Sequence, residues 1–172
     1  MERIAEVRHE YCAGDIYAMA GASLAHNRIA RDILTALNVH LRGHRGEVFM
    51  NDMKAHLATD VREWFYYPEV MVNCEPAGQK EYYCDTPSII FEVLSPGTVR
   101  TDRREKWWAY EKIPTLHTYV LVAQDRREVT VYRRVGEGPW ATQILPRDGE
   151  AVDLPEIELY LPLGEIYGRA GI

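Results

Sequence analysis

The sequence predicts an α+β fold, a mixed α/β arrangement in which a mixed β-sheet is flanked by helices. Three observations predict it: one long amphipathic helical pattern near the N-terminus, a succession of short β-rich runs after it, and a second helical run followed by two more strands. Between residues 23 and 42, Ala30, Leu34, Leu37 and Leu41, flanked by Ile29 and Ile33, recur at helical spacing, with Ser23 placed as N-cap and Gly43 as the stop. Residues 47–51, 54–58, 66–74 and 88–94 then read as strands of a meander or mixed sheet. The segment SPGTVRTD turns the chain, and 102–112 reads as the second helix, opened by Thr101 or Asp102 and ended by Pro114. Residues 116–123 and 128–135 read as strands joined by a hairpin turn at 124–127. In the second of these Val129 and Val131 alternate with Glu128, Thr130 and Tyr132, which predicts one buried and one solvated face. A further strand is expected at 140–145, and LPEIELYLPLGEIY closes the chain.

Composition sets the outer bounds. A chain of 172 residues without repeats, low-complexity stretches or a linker-like cluster reads as one domain over 1–172, and at this length it buries roughly 70% of its unfolded surface without staples. With 47% hydrophobic and 27% charged residues it is neither disordered, collagenous nor a coiled coil. No apolar run reaches the ~18 to 20 residues needed to span a bilayer, and MERIAEVRHEY mixes charge where a signal peptide needs an apolar stretch, so no membrane association and a cytoplasmic location are expected. Cys12, Cys74 and Cys84 are odd in number and widely spaced, which fits reduced core residues rather than disulfides or a zinc site. Walker, G-x-G-x-x-G, H-E-x-x-H and G-x-S-x-G motifs are absent.

Two carboxylates stand out because each interrupts an apolar run: Glu69 in YYPEVMV and Glu92 in SIIFEVLS. An ionised carboxylate in a buried strand costs several kcal/mol unless a cation or hydrogen bonds compensate it. A strand end or an arginine partner would serve for either one alone. Two on successive strands, with Arg100, Arg103, Arg104 and Lys106 close behind, point to a shared hard cation such as Mg²⁺. Asp102 and Lys106 stand four apart, which elsewhere would mean a surface pair worth ~0.3 to 0.5 kcal/mol. The formal charge is -6 overall, yet 100–134 holds nine Lys and Arg against five Asp and Glu, so a polyanion has one basic face on which to dock.

The run YYPEVMVNC, followed by TPSIIFEVLSPGTVRTDRREKWWAYEKIPTLHTYVLV, resembles the Uma-two family of restriction-endonuclease-like proteins, a branch of the P-D…(D/E)-x-K nuclease superfamily. LAHNRIARDIL, VFMNDMKAHL and VTVYRR support the match, which is collinear over nearly the whole chain. The resemblance implies a restriction-endonuclease-like core and hydrolysis of DNA phosphodiester bonds with Mg²⁺, or Mn²⁺ in its place. It implies that Glu69, Glu92 and the backbone carbonyl of Val93 hold the metal, which polarises a phosphoryl oxygen and activates a water. The chain departs from the superfamily at two positions. The superfamily's lysine, two residues beyond the second acid, is Leu94 here, so the resemblance passes the role to Lys106, with Asp102 orienting it. The first acid is Glu69 in place of Asp, whose extra methylene reshapes the metal site and keeps a non-cleaving DNA-binding or accessory module as the alternative to an enzyme.

Around that centre, His26 would touch a phosphate or the metal's water, against the plainer role of a helix cap, and Asp52 would join the acidic cluster, against a turn residue. Arg100, Arg103 and Arg104 are the expected DNA contacts. Trp107 and Trp108 are expected in core and dimer packing rather than base stacking. A homodimer is expected because each protomer would cut one strand of the duplex. A third reading, an oligomeric scaffold whose acids are ordinary ion-pair residues, needs none of this chemistry. The nuclease reading requires that the side chains of residues 69, 92 and 106 meet in one pocket open to solvent.

Overall fold

In the computed structural model, which describes residues 9–18, 21–75, 80–95 and 102–172, the Ser23 hydroxyl accepts the His26 N–H and opens helix α1, Leu24–His40. Its apolar stripe, Ile29, Ile33 and Leu37, is fully buried. The helix ends as expected: the Leu41 N–H donates to the Leu37 carbonyl, and Gly43 adopts φ +82, which a residue with a Cβ resists.

The stripe packs on a six-stranded sheet ordered β11-β10-β9-β8-β6-β3, formed by Ala141–Leu145, Val129–Arg133, Thr118–Ala123, Ile89–Leu94, Val70–Asn73 and Glu47–Met50. At its centre β8 and β9 run parallel, Ile89 opposite Thr118 through Leu94 opposite Ala123, and every residue of both is buried. Alternation then sorts β8: Ile89, Phe91 and Val93 face α1, while Ile90 and Leu94 face the other way. The α1 side is completed by the ribbon β12 (Ala151–Leu154) and β13 (Leu159–Pro162) and by the C-terminal helix α3, Leu163–Tyr167.

The opposite face meets a second sheet of five strands, ordered β2-β1-β5-β4-β7, from Asp15–Ala18, His9–Cys12, Glu63–Tyr66, Lys54–Ala58 and Tyr83–Cys84. Trp64, Tyr66, Tyr110, Ile113 and Tyr119 form the core between them. The hairpin β1–β2 was not among the expected strands. It turns through Ala13 and Gly14, at φ 51 and φ 121, the left-handed pair that a two-residue hairpin loop needs.

Three expectations are corrected. The run 66–74 is not one strand: Tyr66 closes β5 on one sheet, Val70 opens β6 on the other, and Pro68, which has no N–H to give a ladder, sits at the transfer. The second helix begins as a π-helical turn, Asp102–Lys106, and only Trp107–Tyr110 (α2) is α-helical. The second face of β10 is not solvated, since Thr130 is 4% exposed and Tyr132 stacks on Trp107 at 4.4 Å between centroids. Cys84 is buried, Cys12 and Cys74 are half-buried, and all three are free thiols. Among the described residues no helix is long and apolar enough to cross a membrane.

Because Ser23 carries both the α1 cap and a 2.5 Å hydrogen bond to Gln124 beyond β9, Ser23→Ala is expected to cost about 1 kcal/mol. Urea unfolding should show a lower midpoint at unchanged slope.

Candidate functional site

Strand β8 brings Glu92 to the second-sheet side of the central sheet, where a carboxylate finds no water: Glu92 is 2% exposed. Its compensation arrives from the crossover that links β8 to β9. The Lys106 ammonium lies 3.2 Å from Glu92 Oε1, and the Tyr110 hydroxyl donates to the same oxygen at 3.0 Å. One α-helical turn separates Lys106 from Tyr110, so both reach one point. Lys106 is itself 6% exposed, and its ammonium stands over the Tyr66 ring at 5.6 Å from the centroid. The Tyr66 hydroxyl in turn lies 3.3 Å from Cys12 Sγ.

A second carboxylate, from the other sheet, also meets Lys106. Glu10 Oε1, on β1, stands 2.9 Å from Nζ and also accepts the Tyr67 N–H at 3.1 Å. Glu10, Tyr66 and Tyr110 escaped the sequence reading. Only the short pattern HEYCAGDIYA, two polar and apolar runs about a turn, marked the hairpin that carries Glu10.

Glu69 stands at a bend immediately before β6 rather than within a strand. Val70 pairs with Phe91 at the end of the β6–β8 ladder, one residue along the chain from Glu69 and from Glu92. Its carboxylate engages His26 Nε2 at 2.7 Å, while the buried Nδ1 of that ring has no hydrogen-bond partner among the described residues. His26 is thus both inside the α1 cap and at the acid. Leu94 packs in the core, where no cation acts from it. Val93 turns its side chain to the α1 side. Asp52 lies in the exposed turn after β3, not on a strand. Met50 pairs with Val70, which keeps that turn at the Glu69 end of the sheet. Arg104 is exposed on the π-helical turn. The side chains of Asp102 and Arg103, and all of Arg100, lie outside the described residues. Trp107 is packed between Tyr132 and Trp140, whereas Trp108 is 48% exposed with the Lys112 ammonium 3.8 Å from its ring centroid.

Residues 92 and 106 therefore meet, but as a buried pair without the Glu69 carboxylate and not in the open pocket that the nuclease reading requires. Glu69 approaches along the sheet while pointing its carboxylate at α1. Two surface grooves lie away from this pair, one of ≈ 620 Å³ between α1 and α3 and one of ≈ 350 Å³ beside Tyr11 and Arg62. No three His, Cys, Asp or Glu side chains among the described residues converge as a ready-made metal cage. Glu69 and Glu92 nonetheless supply hard oxygen donors of the kind Mg²⁺ takes, an ion that uses one or two carboxylates and keeps several waters. Burial, with the Glu92 charge beside it, pushes the Tyr110 phenol well above the usual tyrosine range. Tyr66 rises for the same first cause, reinforced by its contact with Cys12.

Comparison with known proteins agrees with this architecture. The family model Uma2, described as "Putative restriction endonuclease", matches residues 1–163. Two proteins of Synechocystis sp. resemble the chain: sll1609 at 31% identity, covering 87% of this chain and 85% of that one, and slr1290 at 34%, covering 77% and 70%. Both carry the description "Uncharacterized protein". A crystal structure from Anabaena variabilis, described as "a putative nuclease belonging to DUF820", shares the fold with a TM-score of 0.75 at 18% identity, over 96% of this chain and 93% of that chain.

Tyr110→Phe removes a donor from a buried charged acceptor and is expected to cost about 1.5 to 3 kcal/mol in urea unfolding. A second prediction concerns alkali. Tyr66, Tyr110 and Tyr167 have folded-state pKa values raised by burial, so the stability they contribute is complete below the unfolded value of about 10 and is lost as pH climbs toward the folded ones. The urea midpoint should fall above about pH 10. In phenolate absorbance at that pH, these three should stay silent until the protein unfolds.

Proposed function

The chain belongs to the Uma2 family, and on that premise we propose that it is a metal-dependent DNA endonuclease, hydrolysing phosphodiester bonds in the cytoplasm as a homodimer. The observation that carries the proposal is the Lys106 ammonium 3.2 Å from Glu92, delivered by the crossover after β8 to compensate for Leu94 on the strand. No contiguous motif is needed for this, since the juxtaposition unites an acid and a lysine that lie 14 residues apart.

On this reading Glu92, Glu69 and the Val93 carbonyl would hold Mg²⁺, with Mn²⁺ as substitute. When bound, the ion supplies Lewis acidity at the phosphoryl oxygen and a more acidic water. The chain's own groups do the rest. Tyr110 orients Glu92 through its hydroxyl, and His26 orients Glu69 through Nε2. The Lys106 ammonium stands ready to offset the negative charge that grows on the phosphoryl group. Arg104, with Arg100 and Arg103 on the same basic segment, would meet the DNA backbone, and Asp102, four residues before Lys106 in the sequence, would steady the lysine. Asp52, at the Glu69 end of the sheet, would hold a water in the outer shell.

One observation favours the second reading, a non-cleaving DNA-binding module: Glu92 and Lys106 are buried and already paired. Plasmid nicking separates the two. With Mg²⁺ or Mn²⁺ the wild type should nick, and Glu92→Gln should lower the rate roughly 100-fold or more. DNA association that persists in EDTA, weakens steeply with salt and yields no product would replace the enzyme by the binding module.

A further inference from the structure

A lysine that faces a carboxylate intended for a metal is also that metal's competitor, because its ammonium neutralises the charge and occupies lone pairs that a divalent cation needs. The site contains an answer to this competition. Lys106 Nζ is closer to Glu10, at 2.9 Å, than to Glu92, at 3.2 Å, and the side chains of Glu10 and Lys106 are 14% and 8% exposed. Glu10 is held in turn, since its Oε1 accepts the N–H of Tyr67, two residues before Glu69. One carboxylate thus ties the lysine to the same backbone segment that delivers the first acid.

We propose that Glu10 is a positioning residue: it draws the Lys106 ammonium away from Glu92 and gives it a second counter-charge, so that Glu92 can engage a divalent cation while the lysine stays within reach. This rests on the reading of Glu92 as a metal ligand. When a cation binds at Glu92, the ammonium is repelled, and without Glu10 it would be left buried with its charge poorly matched or would hold Glu92 against the metal. Glu10 acts only through Lys106, touching neither the metal nor the substrate, and its influence should disappear when the lysine is gone.

The test is a double-mutant cycle read by calorimetric titration of Mg²⁺ into the metal-free protein, without DNA. Glu10→Gln keeps the oxygen that accepts from Tyr67 and removes only the charge. It should weaken Mg²⁺ binding roughly 10- to 100-fold, the usual effect of losing a group that supports a ligand. Glu10→Asp should recover part of the loss, and it carries the comparison if Glu10→Gln does not fold. In a Lys106→Met background Glu10→Gln should change the affinity less than about twofold, within the scatter of independent sites. A saturable wild-type titration left unmoved by Glu10→Gln, or a loss of equal size with and without Lys106, overturns the role of Glu10 and leaves the metal site standing. A flat wild-type titration overturns the metal site, and the proposal with it.

Discussion

A buried ammonium between two carboxylates is the constraint around which this molecule is arranged. Lys106, with Glu92 at 3.2 Å and the part-buried Glu10 at 2.9 Å, joins two buried charges, each of which alone would cost several kcal/mol, to a third at the margin of the core. The three come from β8, from the crossover after it and from the N-terminal hairpin, so satisfying the charge requires all three pieces to be in place together. Tyr110 and Tyr66 complete the setting, one with a hydroxyl on Glu92 and one with a ring beneath the ammonium. Buried ion pairs are weak sources of stability, and a well-packed apolar replacement is often neutral.

The central sheet supplies the geometry. Its register sets Val70 against Phe91 and Met50 against Val70, which gathers Glu69, Glu92 and the turn bearing Asp52 at one end. The N-terminus of α1 reaches that end too, with Ser23 bonded to Gln124 beyond β9 and His26 to Glu69. The candidate site residues thus collect where strand ends, a helix start and a crossover converge, on a platform whose central strands are buried along their whole length. The π-helical turn belongs to the same logic. An i→i+5 turn inserts a residue relative to an α-helix, which rotates the downstream helical residues about the axis, and such turns favour functional sites.

Much of this was legible in the residues. The stripe of Ile29, Ile33 and Leu37 with Ser23 ahead of it could only be an amphipathic helix, and the run around Glu92 could only be a buried strand interrupted by a charge. Leu94 in place of a lysine directed attention to Lys106, which does reach Glu92. Thr130 and Tyr132 misled because alternation reports two environments without telling water from an aromatic layer, here Trp107 and Trp140. Glu69 misled because Pro68 hides a change of sheet inside one apolar run. Glu10 stayed invisible because its meaning is a contact across 96 residues that no local pattern encodes.

Local chemistry therefore determined the long helix α1, the buried central strands and which residues are costly to bury uncompensated, since spacing, caps and desolvation act over a few residues. Tertiary structure alone decided the partners: that Lys106 is shared with Glu10, that Glu69 turns to His26, and that the acid and the lysine are enclosed. Pairing of distant strands sets those choices, and the free energy of a buried charge depends on what the rest of the chain brings to it.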